Sequence, residues 1–528
     1  MAMRRLLLIA LGLALCTSAV AQKRIGKGQV SGSFESQSIG YLDDKALGAA
    51  PDDHFGSNNY IKVDYMNGRF SAGIQCNAFL PVLQGYEDLA DGFKFYLASK
   101  YIQWRDKNFE VLVGDIYDQY GNGLIYRSFE DRQLGLNNSL EGVRAGYNFG
   151  RFVAVKAMYG RPRLHTTYAK AWVRGADLSI SLADICGIQE STTLSLEGSF
   201  VNRYQKLDLE PNSFDYSPEI FAESGMDKTN LLMYSGRLNF SWNGLSLRGE
   251  YVHKSKDLSA FAPTAKSGYA ILGEAAYSYK TFSITATYRQ LSHMGTRVSL
   301  YDTTAANTLN YLPALTRQYT YMLANLEPYQ VHSDGEMGGQ VDVSYSLRSK
   351  NSRYRHWNFH ANASIFYSTP NELNTQHKLL WLDVNADVER QWSKKWKTIL
   401  LYSMQQRDNY GETITSHTVV GDVTYKIDRK KSLRLELQYL HSKEYEGDWV
   451  AGLLEFNIAP SWSIFASDMY NLGLTKVHYY NGGFSYTHNR TRVQLSYGRN
   501  RAGYVCSGGV CRYSPAYTGV SLMLTSSF

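Results

Sequence analysis

The residues best suited to chemistry lie between Asp115 and Arg144, where carboxylates and guanidiniums are interspersed with glycines and aromatic residues. Opposite charges held across a narrow passage create a field that sorts polar solutes, as pore-lining loops do. The candidates are Asp115, Asp118, Arg127, Glu130, Asp131, Arg132, Glu141 and Arg144. We therefore predict an inserted segment over 115–140 that carries the charged constriction of a pore.

An ordinary extracellular loop with solvated charges is the alternative for this stretch. Its apolar residues favour the inward arrangement, because they need something to pack against: Leu124, Ile125, Phe129, Leu134 and Leu136. Gly121 and Gly123 permit a close backbone turn. The Gly-Asn-Gly sequence lacks both the full spacing of a phosphate-binding loop and the Lys-Ser/Thr that follows it.

The histidines form no catalytic or metal-binding pattern. Most fall near predicted strand ends or in loops, and none is spaced to pair with a nucleophile: His54, His165, His253, His293, His332, His417, His441 and His478. His356 and His360 are four apart, which on a strand makes them polar residues of one face. No H-E-x-x-H or C-x-x-C motif occurs. We predict no enzymatic activity, no catalytic, cofactor-binding or metal site, and no cofactor.

Two cysteines near the end of the chain are suited to a small-loop disulfide. Cys506 and Cys511 flank a Gly-Gly pair that lets the chain reverse tightly, and an oxidising compartment would favour the bond. Metal binding by the pair is the alternative, but no partner ligands lie nearby in the sequence.

The first residues indicate export. Arg4 and Arg5 precede an apolar run over 6–15, and Ala19-Val20-Ala21 is an A-x-A cleavage site. We predict a signal peptide over 1–21. After Ala21, no apolar run approaches the roughly 18 residues of a membrane-spanning helix, so the exported chain either stays soluble or crosses a membrane as strands.

The elements that must position these residues are strands. From Gln29 onward apolar and polar residues alternate with period two. Leu238, Phe240 and Trp242 show this alternation, and Asn243-Gly244 follows as a hairpin turn. The chain has 41 Tyr, 22 Phe, 9 Trp and 44 Gly but only 11 Pro, a composition that favours strands, tight turns and interfacial aromatic girdles.

Connection lengths point to a barrel. Short turns and longer connections alternate along the chain. This is expected of a barrel with short periplasmic turns at one end of the strands and longer extracellular loops at the other. A β-sandwich or a propeller gives no reason for this rhythm. We predict one transmembrane, antiparallel, up-and-down β-barrel of about 22–24 strands over 22–528, closed because lipid cannot satisfy unpaired backbone groups.

The last strand and the longest connection suggest partners. The amphipathic C-terminal stretch ends at Phe528 and resembles the signal that the barrel-assembly machinery reads. A long loop over 292–336 is rich in aromatic residues and proline: Tyr311, Pro313, Tyr319, Tyr321, Pro328 and Tyr329. This loop could cap the barrel mouth or dock a protein partner, or it could simply pack on itself.

Four segments resemble those of a Bacteroidota outer-membrane barrel family of unassigned function. They run from Tyr120 to Arg144, from Asn310 to Tyr321, from Asp334 to Tyr345 and from Cys506 to Ala516. The resemblance covers most of the mature chain. It implies an outer-membrane location and a barrel fold, and it carries over no functional residue.

These features lead to two functional hypotheses. Strand side chains alone cannot fill so wide a barrel, and a passive, porin-like channel for small polar solutes is the leading hypothesis. The alternative is a non-conducting scaffold whose extracellular loops bind a surface protein. The net charge is +7, with no basic patch apparent along the sequence, so outer-membrane lipid is an expected partner and nucleic acid is not.

Overall fold

A computed structural model describes residues 23–90, 92–188, 191–206, 230–257, 265–300, 307–349, 354–370, 376–409, 411–507 and 510–528. The predicted signal peptide over 1–21 lies outside these residues. Within them, 24 long strands form one antiparallel sheet. No helix in the described ranges is long and apolar enough to cross a membrane.

The long strands follow one another in chain order. The first twelve are β1 (Gly28–Leu42), β2 (Phe55–Asn67), β3 (Phe70–Phe79), β4 (Lys94–Arg105), β5 (Phe109–Ile116), β6 (Leu140–Phe149), β7 (Val153–Leu164), β8 (Ala171–Ser181), β9 (Thr192–Gln205), β10 (Asn230–Trp242), β11 (Leu245–Asp257) and β12 (Lys266–Tyr279). The other twelve are β13 (Phe282–Ser292), β14 (Gly335–Arg348), β15 (His356–Ser368), β16 (Leu379–Gln391), β17 (Trp396–Asn409), β18 (Glu412–Lys426), β19 (Lys431–Ser442), β20 (Trp449–Ile458), β21 (Trp462–Asn471), β22 (His478–His488), β23 (Thr491–Asn500) and β24 (Tyr517–Ser527).

The connections between the long strands contain one short helix and several short strands. A four-residue helix, α1, spans Leu182–Ile185. The short strands are Lys23–Ile25, Gln119–Tyr120, Tyr126–Arg127, Glu130–Asp131, Leu136–Asn137, Thr167–Tyr168, Gly503–Ser507 and Val510–Ser514.

The sheet closes into a barrel. Each long strand pairs with its neighbour in sequence, and β24 pairs with β1 from Ser33↔Ser527 to Leu42↔Thr518. Closure leaves no sheet edge, so the strands' amides and carbonyls are satisfied without water. The predicted antiparallel up-and-down barrel is confirmed.

The two rims of the barrel differ. Every connection that follows an even-numbered strand is on one rim, here called the tight-turn rim, and most of these connections are short. Asn243 (φ 44°) and Gly244 (φ 85°) form such a turn, with both residues in the left-handed region that a type I′ hairpin requires. The opposite, long-loop rim carries the longer connections, although only two residues separate β17 from β18.

The strands present two chemically different faces. On β10, Leu238 and Trp242 point outward and are about half exposed, whereas Arg237 points inward and is buried. Outward apolar side chains suit hydrocarbon, and inward polar side chains suit water or other polar groups.

Two connections on the long-loop rim fold into the lumen instead of away from the barrel. Insert 1 is residues 117–139, between β5 and β6, and insert 2 is the described residues 293–300 and 307–334, between β13 and β14. Both are shorter than the predicted 115–140 and 292–336, because the flanking strands extend further than the sequence pattern suggested.

Candidate functional site in the barrel lumen

Insert 1 lies against one side of the inner wall. Asn122 donates through Nδ2 to Glu250 of β11 at 2.8 Å. Lys156 of β7 reaches Asp118 at 2.8 Å. These wall residues share a strand face with buried apolar residues and lie opposite the exposed outward side chains, so the contacts are made inside the barrel.

Arg237 of β10 is the wall residue that fits the tip of insert 1. Its guanidinium pairs with Asp177 at 2.6 Å and with Glu197 at 2.8 Å. Gly121 packs against the Arg237 side chain, and a Cβ at this position would be 2.5 Å from Arg237 Cδ. The backbone of Gly121 has a φ of 53°. The tip therefore needs a glycine both for its left-handed backbone and for this close approach.

The other end of insert 1 reaches β1 and β3. Arg132 pairs with Glu35 at 2.7 Å, and Gln75 donates to Glu130 at 2.6 Å. Burial alone would lower the pKa of Arg132, but Glu130 and Glu35 together raise it above its usual value. Asp131 accepts from the backbone amides of Gln133 and Leu134 and so shapes the local turn.

An apolar cluster holds the middle of insert 1. Tyr120, Leu124, Ile125 and Tyr126 are all buried, and burial raises the pKa of Tyr120 and of Tyr126. Inward residues near the long-loop ends of the strands complete the cluster: Leu112, Met158, Val173, Val201, Leu231, Met233, Val252, Ala270 and Leu291. The apolar residues of 115–140 thus have the packing partners that the sequence required.

Insert 2 runs along the other side of the wall. Tyr319 donates to Asp383 of β16 at 2.8 Å, and Arg317 pairs with Asp387 of the same strand at 2.6 Å. Further on, Gln438 of β19 accepts from the amide of Leu323 at 2.9 Å. Burial raises the pKa of Tyr319, and the neighbouring Asp383 carboxylate raises it further.

Both ends of insert 2 are held by buried ions. At the β14 end, Glu336 pairs with Arg289 of β13 at 2.5 Å and accepts from Tyr329 at 2.6 Å. Neither Arg289 nor Glu336 exposes any side-chain surface. Near the other end, Arg203 of β9 donates to the carbonyl of Arg297 at 2.5 Å.

The two inserts also bind each other. The Arg127 amide donates to the carbonyl of Leu309 at 2.8 Å, and the Tyr311 amide donates to the carbonyl of Gly123 at 2.9 Å. The Arg127 guanidinium lies 3.9 Å from the centre of the Tyr311 ring. Together the inserts contact wall residues from β1 around to β19, so they span the lumen.

The structure brings only some of the eight predicted pore residues together. Arg144 lies 3.6 Å from Asp118 and also contacts Glu110. On insert 1, Glu130 and Arg132 lie 3.6 Å apart and share Gln75 as a partner, whereas Arg127 and Asp131 have other partners.

Two of the predicted pore residues are not in the lumen. Glu141 lies on the same face of β6 as the exposed Val143, where it pairs with Lys100 at 2.6 Å and Arg161 at 2.9 Å. Asp115 lies buried within the wall, where β4 and β5 separate, and accepts from the amide of Lys100 at 3.0 Å. Their placement in the lumen was wrong because the sequence did not show that Asp115 and Glu141 belong to β5 and β6 and not to the inserted segment.

Open space remains between the inserts and the tight-turn rim. A cavity of about 540 Å³ is bordered by Glu110, Asp118, Arg144, Lys156 and Asp177, among others. A second cavity of about 830 Å³ lies at the same rim, beside β16–β23. The half of the lumen nearer this rim is thus a charged vestibule, whereas the half nearer the long loops is largely filled.

A hairpin covers part of the mouth on the long-loop rim. It is formed by Gly503–Ser507 and Val510–Ser514 and carries the disulfide Cys506–Cys511. Arg512 of this hairpin donates to the carbonyls of Gly85 at 3.0 Å and Gln133 at 3.3 Å. The hairpin therefore touches both a neighbouring loop and insert 1.

Sequence reasoning missed the wall residues that receive the inserts, Arg237 and Asp383 above all. A signal was present at the beginning of β10, where Leu231, Leu232 and Met233 are consecutive apolar residues. A strand end that is apolar on both faces must pack on something inside the barrel. In the described ranges, no group of three or more His, Cys, Asp or Glu side chains is placed to hold a metal ion.

The sheet is closed, its outer face is apolar and its inner face polar, and one rim has short turns whereas the other has long loops. These features define an outer-membrane β-barrel protein. The model of the Family of unknown function (DUF6029) matches residues 3–528, and the chain belongs to that family. The curated proteins include no significant match.

Solved structures with similar folds are outer-membrane proteins of several kinds. The siderophore receptor PirA from Pseudomonas aeruginosa has 10% identity and a TM-score of 0.45, with 96% of this chain and 81% of that chain covered. The translocation pore of the P pilus usher PapC has 9% identity and a TM-score of 0.45, with 94% and 99% covered. Acinetobacter baumannii OccAB4 has 12% identity and a TM-score of 0.38, with 85% and 99% covered.

Proposed function

We propose that this protein is a passive, porin-like channel for small polar solutes, narrowed by insert 1 and insert 2. The observation that carries the proposal is the charged vestibule at the tight-turn rim. Its cavities of about 540 and 830 Å³ are bordered by charged and hydroxyl side chains of the inner wall. Such a surface suits water and hydrated solutes.

The inserts would set the size limit for passage. Outside the apolar cluster, they meet the wall through hydrogen bonds and ion pairs, such as Asn122 to Glu250 and Arg317 to Asp387. Polar contacts can exchange for water at a small net free-energy cost, so a modest displacement of an insert can widen the path. Beside Leu323 and Trp449, a cavity of about 40 Å³ separates insert 2 from the wall, room for only a few water molecules.

Single-channel recording in planar bilayers tests the proposal. The intact chain should give small, steady current steps, and a variant lacking 119–136 should give larger steps because insert 1 no longer narrows the lumen. A matched control lacks 45–49, a loop segment of the long-loop rim outside the inserts, and should conduct like the intact chain. Absence of current from both the intact chain and the variant lacking 119–136 would contradict a channel.

A non-conducting scaffold is the second candidate, and the buried ion pairs favour it. Arg203–Asp257 and Arg289–Glu336 expose no side-chain surface, so water is excluded where insert 2 is anchored. This hypothesis predicts that a surface protein is recovered in stoichiometric amount after gentle detergent extraction, and that deleting insert 2 abolishes its recovery. A chain that conducts and is recovered alone would refute it.

The proposal has three further parts. A signal peptide over 1–21 would direct export in a bacterium of the Bacteroidota, and the barrel-assembly machinery would recognise the strand that ends near Phe528. The protein would act without enzymatic activity.

Replacing Phe528 with Ala should lower the amount of folded barrel in the outer membrane, because the barrel-assembly machinery would recognise the last strand less well. Quantitative immunoblotting of membrane fractions measures this amount, and the conductance of the barrels that do assemble should not change.

A further inference from the structure

A cluster of cations lines the larger cavity of the vestibule. Seven basic side chains border this space of about 830 Å³: Lys394, Lys395, Lys426, Arg429, Lys430, Lys431 and Arg492. Only two acidic residues, Asp428 and Glu455, share it. These cations come from three places in the sequence, residues 394–395, 426–431 and 492, and the ring of strands brings the turns that carry them side by side.

Most of these cations lack an ionic partner. Among the described residues, no carboxylate is within ion-pair distance of Lys395, Lys426 or Lys430, and all three side chains are exposed. Lys394 lies over the ring of Tyr354 at 4.6 Å. The cavity therefore carries an excess of uncompensated positive charge.

The smaller cavity at the same rim gives an internal comparison. Four basic and four acidic residues border it. Most of them are paired, as Arg105 is with Glu110 at 2.5 Å and Lys156 with Asp118 at 2.8 Å. A positive excess is thus not a general property of the tight-turn rim but belongs to the arc from β16 to β23.

The cavity faces the lumen and not the lipid. Ser463 pairs with Asn457 on β20 and with Ser485 on β22, and these three polar residues share one face. Ile464 is on the opposite face of β21 and is about half exposed to the outside. A ligand of the cations therefore meets hydroxyl and amide groups as well.

We infer that this cavity is a binding site for free solutes that carry two or more negative charges, such as phosphate or sulfate esters. Single exposed lysines bind anions weakly, and salt screens them over about 8 Å at physiological ionic strength. Several cations around one space act together on a multiply charged ligand. The inference deepens the proposed function, on which its relevance to transport rests, by naming the class of solute.

Fluorescence anisotropy of pyrenetetrasulfonate with the purified full-length barrel tests the site without requiring any current. We expect saturable binding that the triple variant K395Q/K426Q/K430Q weakens by about tenfold at about 150 mM salt. The matched control K27Q/K107Q/K280Q removes three exposed lysines from other turns of the same rim and should change affinity less than about twofold. Inorganic pyrophosphate should displace the probe from the intact chain.

Two results would overturn the inference. One is the absence of saturable binding, and the other is equal loss of affinity in both triple variants.

Nanodiscs of different lipid composition distinguish a free solute from a lipid headgroup as the natural ligand. Binding that is the same in phosphatidylcholine and phosphatidylglycerol discs supports a free solute, whereas loss of binding in phosphatidylglycerol discs means that headgroups occupy the lysines. Probe binding by a barrel that passes no current would leave this site standing while the channel proposal fails.

Discussion

Buried arginines organise the interior at the scale of single residues. Arg203, Arg237 and Arg289 point inward from β9, β10 and β13, and each has carboxylate partners that are themselves buried or nearly so. A guanidinium can form several hydrogen bonds in a fixed plane. Each arginine therefore joins a strand to its neighbours or to an insert at a defined angle.

The pair between Arg289 and Glu336 should be important for stability. Replacing Arg289 with Met leaves the Glu336 carboxylate buried without its cation, which costs about 3–5 kcal/mol. In the matched control R248Q, the partners are 3.9 Å apart, and Arg248 is exposed while Glu274 is partly exposed, so the loss should be under about 1 kcal/mol. Urea unfolding in detergent micelles, followed by Trp fluorescence, measures both, and equal losses would contradict the role assigned to Arg289.

Gly121 should be necessary for the seating of insert 1. In G121A the new Cβ meets Arg237, and the insert tip should shift and raise the single-channel conductance. G26A is a matched control, because Gly26 also has a positive φ (62°) but nothing lies within 4 Å of its Cβ position. Conductance unchanged in G121A would show that the tip does not restrict the lumen.

Asp44 should make the stability of the barrel depend on pH, because it binds residues of β23 and β24 next to the place where β24 pairs with β1. The Arg499 guanidinium, at 2.7 Å from both carboxylate oxygens, holds the pKa of Asp44 well below its usual range, and Thr518 of β24 also donates to it. A lowered carboxyl pKa stabilises the folded state above the unfolded pKa, about 4, and this contribution is lost as the pH falls further.

The variant D44N removes this contribution. The unfolding midpoint of the native chain should exceed that of D44N at pH 7, and the difference should shrink as the pH falls below about 4. A difference that does not change with pH would mean that the Asp44 charge plays no part in the contact.

At the scale of elements, the strands and tight turns could be predicted because their cause is local. A strand between lipid and an aqueous lumen alternates residue by residue, as Leu238 and Arg237 do. Asn243-Gly244 fixes its turn through two left-handed residues. These features need no knowledge of distant parts of the chain.

Register and tertiary contacts could not be predicted in the same way. A shift of one residue turns every side chain of a strand to the other face. Glu141 was placed wrongly because the sequence did not show that β6 begins at Leu140, so that Glu141 and Arg144 lie on opposite faces of one strand. The partners of insert 1, such as Arg237 and Glu250, come from strands more than 100 residues away along the chain. Only closure of the ring brings them together.

The disulfide hairpin should be a local device and not a support of the barrel. In C506S/C511S the loop over 503–514 loses its cross-link, so Arg512 should leave Gly85 and Gln133 more often. Limited proteolysis should then cut within 503–514 faster, while the urea midpoint of the barrel should stay the same. A large drop in that midpoint would show that the hairpin holds the barrel itself.

At the scale of the whole molecule, the lumen has two halves with different contents. Insert 1 and insert 2 fill the half near the long loops, and the vestibule opens toward the tight-turn rim. A ring of 24 strands is too wide to be filled by its own side chains, and the inserts provide the packing that the wall cannot. The barrel wall and the inserts thus have separate roles: the wall crosses the membrane, and in the proposed channel the inserts would limit passage.

Thiol labelling at two depths of β10 tests this division most directly. In a background with Cys76 and Cys186 replaced by Ser, Met233→Cys lies within the apolar cluster around insert 1, and Asn239→Cys lies nearer the tight-turn rim. In oriented proteoliposomes, a membrane-impermeant maleimide should label position 239 only from the tight-turn side, and position 233 only after removal of 119–136. Rapid labelling of position 233 from the long-loop side in the otherwise intact chain would contradict a lumen that the inserts narrow to below the size of the maleimide.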